Sequence, residues 1–272
     1  MSASIEVRAL VGPDWIAARL GDPSVRIVEI DVSPAAYEAG HIPGAVFWNA
    51  YADLRPVEYR PLSSSEFTRL LSRSGIGRDS AVVFYGYGAY LGYWLMQSCG
   101  HAQAFLMDGP RERWLEAGYA WTPETVPPSP ASYPAGSASA ERVARDDVLG
   151  LIGDPDVALV DVRSREEFTG ERFWPSGGMQ ESGRAGHIPG AVWLPLDIAQ
   201  QGPEEVRDIC EAAGLGPDRH LVVYCTIGNR ASQVWFVLGR VLGYPRVSVY
   251  YGSWAEWGTA RETPVSSEAA LS

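Results

Sequence analysis

The heptapeptide Gly186-His-Ile-Pro-Gly-Ala-Val192 occurs twice in this chain, because residues 40–46 have the same seven letters. Further matches follow in the same order, among them Gly75-Ile-Gly77 and Gly214-Leu-Gly216, each placed before an apolar run. The two copies lie much farther apart than the roughly 20 to 50 residues of a solenoid repeat. The sequence therefore predicts two copies of one domain.

The segment between the copies differs from both in composition. Residues 123–140 contain five prolines, many small polar residues and almost no large apolar ones, which is typical of a semi-extended linker. We therefore expect a first domain over residues 1–122, a linker over 123–140 and a second domain over 141–272.

Short apolar runs alternate with helical spacing along the second copy. The strand-like runs are residues 157–162, 221–224 and 247–250, and the helical patterns are residues 203–213 and 231–242, the latter ended by Gly243. Strands that alternate with helices predict an α/β fold, in which each domain has a mostly parallel sheet with helices on both faces. In such sheets, functional loops follow the carboxyl ends of the strands.

The composition argues against several classes of protein. The chain is 46% hydrophobic, enough for a large core, and its net charge of −11 without a basic block argues against a nucleic-acid partner. The first residues are typical of neither a signal peptide nor a transit peptide, and no apolar run is long enough for a membrane span. Three cysteines do not suggest a disulfide framework, so we expect a cytoplasmic protein. No Cys/His cluster indicates a metal, and no glycine-rich turn indicates a nucleotide cofactor.

Cys225 lies where a strand pattern passes into a helix pattern, in Leu221-Val-Val-Tyr-Cys-Thr-Ile-Gly-Asn-Arg230. A loop that enters a helix directs backbone N–H groups to one point, and the helix dipole adds positive potential there. Together with Arg230, these features favour a nucleophilic thiolate in a backbone anion nest. The alternative is a structural cysteine at a strand end. The sister copy has Gly86 at this place, so it keeps the fold pattern without the nucleophile.

These features resemble the tandem-domain rhodaneses, which are thiosulfate and 3-mercaptopyruvate sulfurtransferases. The resemblance covers nearly the whole chain and rests on the duplicated Gly-His-Ile-Pro-Gly-Ala, on Asp161-Val-Arg163, on Tyr224–Arg230 and on Gly252–Gly258. It implies two rhodanese domains, of which the second is active. It also implies a six-residue active-site loop whose backbone amides surround the sulfur, namely Cys225, Thr226, Ile227, Gly228, Asn229 and Arg230.

The resemblance further implies a double displacement without a cofactor. A donor gives its outer sulfur to the Cys225 thiolate, and an acceptor then removes it; cyanide and a dithiol, such as that of a thioredoxin-like protein, are the expected acceptors. Cysteine phosphatases have five residues between the cysteine and the arginine, whereas four separate Cys225 from Arg230. The shorter loop argues against a phosphatase.

The second copy carries an insertion, since Asp161 and Gly186 are 25 positions apart, against nine for Asp31 and Gly40. Long loops on a rigid scaffold often carry function. In the family this region brings arginines to the anionic group of the donor. Arg184 and Arg172 are therefore the candidates for donor binding, because a guanidinium suits a sulfonate or carboxylate.

Glu166 and Glu167 depart from the family pattern, since several members carry an arginine at this place. Carboxylates that face the site would repel an anionic donor, which leaves the identity of the donor open. We expect a small anionic sulfur donor, with thiosulfate first and 3-mercaptopyruvate as the alternative. A third possibility, of another class, is a persulfide carrier that passes sulfur to a partner with low turnover.

Overall fold

The computed structural model describes four stretches of the chain, which are residues 9–56, 60–134, 141–174 and 183–267. The chain folds into two compact units, Met1–Ser139 and Ala140–Ser272. Each unit contains one five-stranded sheet and its own helices. The predicted duplication of one α/β domain is thus confirmed.

Neighbouring strands in the sheet of the first unit are parallel. The strands are β1 (Leu10–Val11), β2 (Val25–Asp31), β3 (Val46–Asn49), β4 (Ala81–Tyr85) and β5 (Ala104–Met107). They lie in the order β1-β5-β4-β2-β3. The helices of this unit are α1 (Pro13–Ala17), α2 (Ala35–Ala39), α3 (Ser64–Arg73), α4 (Ala89–Ser98) and α5 (Arg111–Glu116).

The second sheet repeats this arrangement with parallel neighbours in the order β6-β10-β9-β7-β8. Its strands are β6 (Arg142–Val143), β7 (Val157–Asp161), β8 (Val192–Trp193), β9 (His220–Tyr224) and β10 (Val247–Tyr250). Its α-helices are α6 (Arg145–Leu151), α7 (Arg165–Thr169), α8 (Pro203–Ala212), α9 (Asn229–Phe236) and α10 (Ser253–Trp257). A 3-10 helix spans Leu196–Gln200, and α9 continues into a π-helical turn, Val237–Val241. No helix among the described residues has the length and apolar character needed to cross a membrane.

The path of the chain puts helices on both faces of the second sheet. The chain crosses the sheet from β6 to β7 and β8 in one direction, and returns through β9 to β10 in the other. Because such connections are right-handed, α6 and α7 cover one face, and α8 and α9 cover the other. The strands between these layers are apolar, as parallel strands covered on both faces require; β7 is buried along its whole length.

The predicted elements of the second copy agree with the structure to within about two residues. The strand predicted over 157–162 ends at Asp161, and the helix predicted over 231–242 begins at Asn229 and ends in the π-helical turn. The helix starts earlier because Gly228 adopts the left-handed conformation at its N-cap and turns the chain there. Helix boundaries depend on such local turns more than on apolar spacing.

The described part of the predicted linker, residues 123–134, packs on the first unit without helix or strand. The backbone N–H of Ala131 donates to the carbonyl oxygen of Ser72 at 2.9 Å. The side chain of Tyr133 is buried, and its hydroxyl lies 3.1 Å from Nδ1 of His101. Residues 135–140 lie outside the described residues, and the domain boundaries at 122 and 141 stay a prediction.

Candidate active site

The surroundings of Cys225 are built by the segments that follow three strands of the second sheet. Asp161 is the register partner of Tyr224, so the ends of β7 and β9 lie side by side. Val249 pairs with Val223, which brings the end of β10 to the same edge. Parallel strands place their carboxyl ends at one edge, and the loops after them therefore meet around Cys225.

Cys225 lies in a backbone cradle at the start of α9. Its side chain is buried, at 1% exposure, and the backbone N–H of Gly228 donates to its Sγ at 3.1 Å. Gly228 has a φ of 91°, a left-handed conformation that glycine adopts without a steric penalty. This turn presents a backbone donor to the sulfur at the positive end of the helix dipole, an arrangement that stabilises negative charge on sulfur.

The segment after β10 holds the start of the loop. The backbone N–H groups of Trp254 and Ala255 donate to the carbonyl oxygens of Cys225 and Thr226, each at 2.9 Å. The Ser253 hydroxyl oxygen accepts from the Cys225 N–H at 3.3 Å and donates to the Tyr250 carbonyl oxygen at 2.9 Å. Ser253 has a φ of 54°, the one positive φ outside glycine among the described residues. Such strain persists only where surrounding contacts hold it.

Glu167 lies on α7 and connects the two ends of the loop that carries Cys225. One of its carboxylate oxygens accepts from the Thr226 hydroxyl at 2.7 Å, and the two oxygens accept from the Arg230 guanidinium at 2.8 and 2.9 Å. The same carboxylate accepts from the Ser164 N–H at 3.0 Å, which completes a capping box. Sequence reasoning gave Glu167 no role in the loop. The pattern Ser164-x-x-Glu167 is a capping-box signal that could have placed Glu167 at the start of a helix. It could not have identified Thr226 and Arg230 as partners of Glu167, because they are remote in the chain.

Electrostatics keep both members of this pair charged. Burial acts to raise the pKa of Glu167, but the Arg230 guanidinium outweighs it, so the pKa lies below its usual value. Burial likewise acts to lower the pKa of Arg230, yet the hydrogen bonds of Glu167 and the charge of Cys225 raise it.

A second buried ion pair braces the end of β7. The guanidinium of Arg163 contacts Asp161 at 2.6 Å, and both side chains are fully buried. Arg163 also donates to the carbonyl oxygen of Gly186 at 2.6 Å, and its guanidinium lies 4.4 Å from the ring centre of Trp254. One side chain thus joins the strand end, the Gly-His-Ile-Pro turn and the segment that holds the loop.

The remaining predicted loop residues are contiguous with this constellation. Ile227 and Asn229 are buried, and Asn229 is the first residue of α9. His187, which repeats His41, contacts the carbonyl oxygen of Phe168 through Nδ1 at 2.8 Å. This contact gives His187 a structural role in its turn. The participation of the loop side chains in binding a donor stays a prediction.

Neither predicted donor-binding arginine has a contact with the sulfur among those described for residues 183–267 and 141–174. The Arg184 guanidinium donates to the carbonyl oxygens of Thr263 at 2.7 Å and of Trp257 at 3.2 Å, so it fastens the segment after α10. Arg172 is exposed, and its backbone N–H donates to the carbonyl oxygen of Glu166 at 3.1 Å. Residues 175–182 of the insertion lie outside the described residues. Donor binding by either arginine stays a prediction.

The first unit has no room for a nucleophile at the matching place. A Cβ on Gly86 would lie 2.8 Å from the carbonyl oxygen of Ile30, closer than a side chain allows. The first unit also braces its Gly-His-Ile-Pro turn from another position. Arg111 donates to the carbonyl oxygen of Gly40 at 2.8 Å and pairs with the buried Glu29 at 3.1 Å. In each unit a buried or half-buried arginine thus donates to the carbonyl oxygen of the first glycine of this turn, but the arginine comes from a different position in the chain.

Comparison with known proteins identifies both units. A model of the rhodanese-like domain matches residues 12–117 and 144–260. The sulfur carrier protein TtuD of Thermus thermophilus is 39% identical over 280 residues, which cover 94% of this chain and 96% of that protein. A protein of Haloferax volcanii, provisionally named thiosulfate sulfurtransferase, is 38% identical over 279 residues, which cover 94% and 95%.

Solved structures have a similar fold over nearly the whole chain. The anaerobic ergothioneine biosynthesis enzyme from Chlorobium limicola, in complex with trimethyl histidine, superposes with a TM-score of 0.86 at 25% identity. A variant of EanB with a cysteine persulfide and ergothioneine superposes with a TM-score of 0.87, also at 25% identity. Each match covers 98% of this chain and 72% of the other.

Proposed function

This chain belongs to the rhodanese family of sulfurtransferases, with one rhodanese-like domain in each unit, and we propose that Cys225 carries the transferred sulfur as a persulfide. The observation that carries this proposal is the Gly228 N–H held 3.1 Å from the Cys225 sulfur at the start of α9. A backbone donor at the positive end of a helix stabilises a thiolate, and it equally stabilises the anionic outer sulfur of a persulfide.

The proposed reaction consists of two displacements at sulfur. The Cys225 thiolate attacks the outer sulfur of the donor, the S–S bond of the donor breaks, and the remainder leaves as an anion. The acceptor then attacks the outer sulfur of the persulfide, and Cys225 leaves as the thiolate. Glu167, Arg230 and Ser253 hold the loop in shape through both steps, because their hydrogen bonds join its two ends.

Thiosulfate as donor, and cyanide or a dithiol as acceptor, form the finer part of the proposal. The name of the Haloferax relative supports thiosulfate. The alternative donor, 3-mercaptopyruvate, carries a carboxylate that a loop hydroxyl could bind. Here the Thr226 hydroxyl donates to Glu167 at 2.7 Å, so it is engaged within the fold. The same contact withholds this hydroxyl from the oxygens of thiosulfate, so the preference for thiosulfate rests on the name of the relative.

A second candidate function is that of a persulfide carrier with low turnover of small donors. Two observations favour it: Cys225 is only 1% exposed, and the relative at 39% identity is named a sulfur carrier protein. A buried persulfide is shielded from small nucleophiles in solution. A carrier would release it to a partner that enters the site.

Thiocyanate formation from cyanide tests the proposal, with thiosulfate and 3-mercaptopyruvate run side by side. Cys225→Ser is expected to abolish thiocyanate formation and the sulfur adduct seen by mass spectrometry. Cys99→Ser, a change at a half-buried cysteine of the first unit, serves as the control and is expected to keep both. Turnover by Cys225→Ser would sink the proposal. A persulfide on the wild type without steady-state turnover would favour the carrier.

A further inference from the structure

Glu167 cancels the charge of the single cation in the active-site loop. Its two oxygens lie 2.8 and 2.9 Å from the guanidinium nitrogens of Arg230. The Glu167 side chain is fully buried, and that of Arg230 is 19% exposed. Because Thr226 donates to the same carboxylate at 2.7 Å, the ionised form of Glu167 is held from two sides. Apart from the Cys225 thiolate, the side chains of the loop and that of Glu167 therefore carry no net charge.

The neighbouring arginines are engaged as well. Arg163 is paired with Asp161 at 2.6 Å, and Arg184 donates to backbone carbonyl oxygens of the segment after α10. The sequence between Arg172 and Arg184 adds no cation, since residues 173–183 contain one glutamate and neither arginine nor lysine. Among the described residues, the contact made to the Cys225 sulfur is that of the backbone N–H of Gly228.

The balance of charge between Glu167 and Arg230 affects which sulfur donor the site favours. Thiosulfate brings two negative charges towards a thiolate that already has one, whereas a thiosulfonate or an organic persulfide brings a single charge on the same kind of outer sulfur. Repulsion between like charges grows with the donor charge wherever no cation offsets it. We infer that Glu167 is a specificity-determining residue, which lowers the activity of this site with the thiosulfate dianion relative to its activity with monoanionic sulfane-sulfur donors. The inference rests on the proposed function of Cys225.

Methanethiosulfonate and thiosulfate form a matched pair of probes. In both reactions the Cys225 thiolate attacks the outer sulfur and the S–S bond breaks. Methanesulfinate leaves with the bonding electron pair in one case, and sulfite leaves with it in the other. Neither step needs a further reactant. The donors differ by one negative charge and by a methyl group in place of an oxygen.

The experiment compares the two donors on Glu167→Gln, which frees the charge of Arg230 and keeps the size of the side chain. The measured quantity is kcat/KM for thiosulfate divided by kcat/KM for methanethiosulfonate, with cyanide as acceptor. We expect this ratio to rise about tenfold, the order of the attraction between one guanidinium and one additional charge at several ångströms near a protein surface. A disturbance of the loop affects both donors and cancels in the ratio.

Two further variants separate charge cancellation from other effects. Glu166→Gln removes the exposed carboxylate of the preceding residue, and it should change the ratio by less than about twofold because solvent screens that charge. Glu167→Gln combined with Arg230→Gln restores a net charge of zero, so the ratio should return to that of the wild type. A ratio in Glu167→Gln no higher than in Glu166→Gln would overturn the inference, as would a raised ratio that persists in the double variant.

Failure of the proposed function gives a different experimental result from failure of the inference about Glu167. If Cys225→Ser turns over either donor, the persulfide proposal fails whatever the ratio is. If the wild type turns over neither donor, the rates of persulfide formation in a single turnover, followed by mass spectrometry, supply the same ratio. Absence of any sulfur adduct on Cys225 with both donors would sink the proposed function and the inference together.

Discussion

Replacing Asp161 by asparagine tests the buried ion pair beside the loop that carries Cys225. The side chains of Asp161 and Arg163 are both fully buried, with contacts at 2.6 and 3.0 Å. The same guanidinium donates to Gly186 and stacks on Trp254, so it cannot turn towards water without disturbing these contacts. Asp161→Asn therefore leaves a buried guanidinium without its counter-charge.

The expected loss of stability of the second unit is about 3–5 kcal/mol, the cost of removing one partner from a buried ion pair. This is a large share of the roughly 5–15 kcal/mol that stabilises a typical domain. Asp31→Asn at the matching position of the first unit is the control. Asp31 is only half-buried, its carboxylate accepts from the adjacent Val32 N–H at 2.6 Å, and Ser33 replaces the arginine. We expect a change within about 1 kcal/mol there.

Thiol labelling during urea unfolding measures the stability of each of the two units separately. Cys210 is buried in the second unit and Cys99 lies in the first, so mass spectrometry of pulse-alkylated peptides reports the opening of each unit. The combined variant Asp161→Leu with Arg163→Met removes both charges and should recover more than half of the lost stability. The reasoning is refuted if Asp161→Asn costs less than about 1 kcal/mol, or if the combined variant is as unstable as the single one.

The remaining predictions concern the geometry of the loop that carries Cys225 and the titration of Glu167, which holds that loop. Gly228→Ala places a side chain at a φ of 91° and should cost about 1–2 kcal/mol of stability. It should also move the N–H away from the sulfur and slow the alkylation of Cys225 by iodoacetamide at neutral pH. An unchanged rate of alkylation would contradict the conclusion that the Gly228 N–H stabilises negative charge on the Cys225 sulfur. Because Arg230 holds the pKa of Glu167 below its usual value of 4.5, the stability that this carboxylate contributes is present above pH 4.5 and is lost as the pH falls through the lowered pKa. Hydrogen-exchange protection of the loop amides should therefore fall only below about pH 4.5, and Glu167→Gln should abolish this step.

The sequence alone determined the features that depend on local patterns. The repeated heptapeptide predicted two copies of one domain, and alternating apolar and helical spacing predicted the parallel sheets. The position of Cys225 between a strand and a helix followed from the same patterns, since the residues from Leu221 to Arg230 are adjacent in the chain. Such signals can be read without knowing which distant residues come together.

The tertiary structure alone decided what surrounds that cysteine. Glu167 meets Arg230 across 63 positions of the chain, and Ser253 reaches the Cys225 N–H across 28. Arg184 has a position that suggests donor binding, yet its guanidinium donates to carbonyl oxygens 73 and 79 positions away. The physical reason is that partners of buried charges are chosen by packing, because a buried guanidinium or carboxylate takes whichever opposite dipole the fold brings within hydrogen-bonding distance.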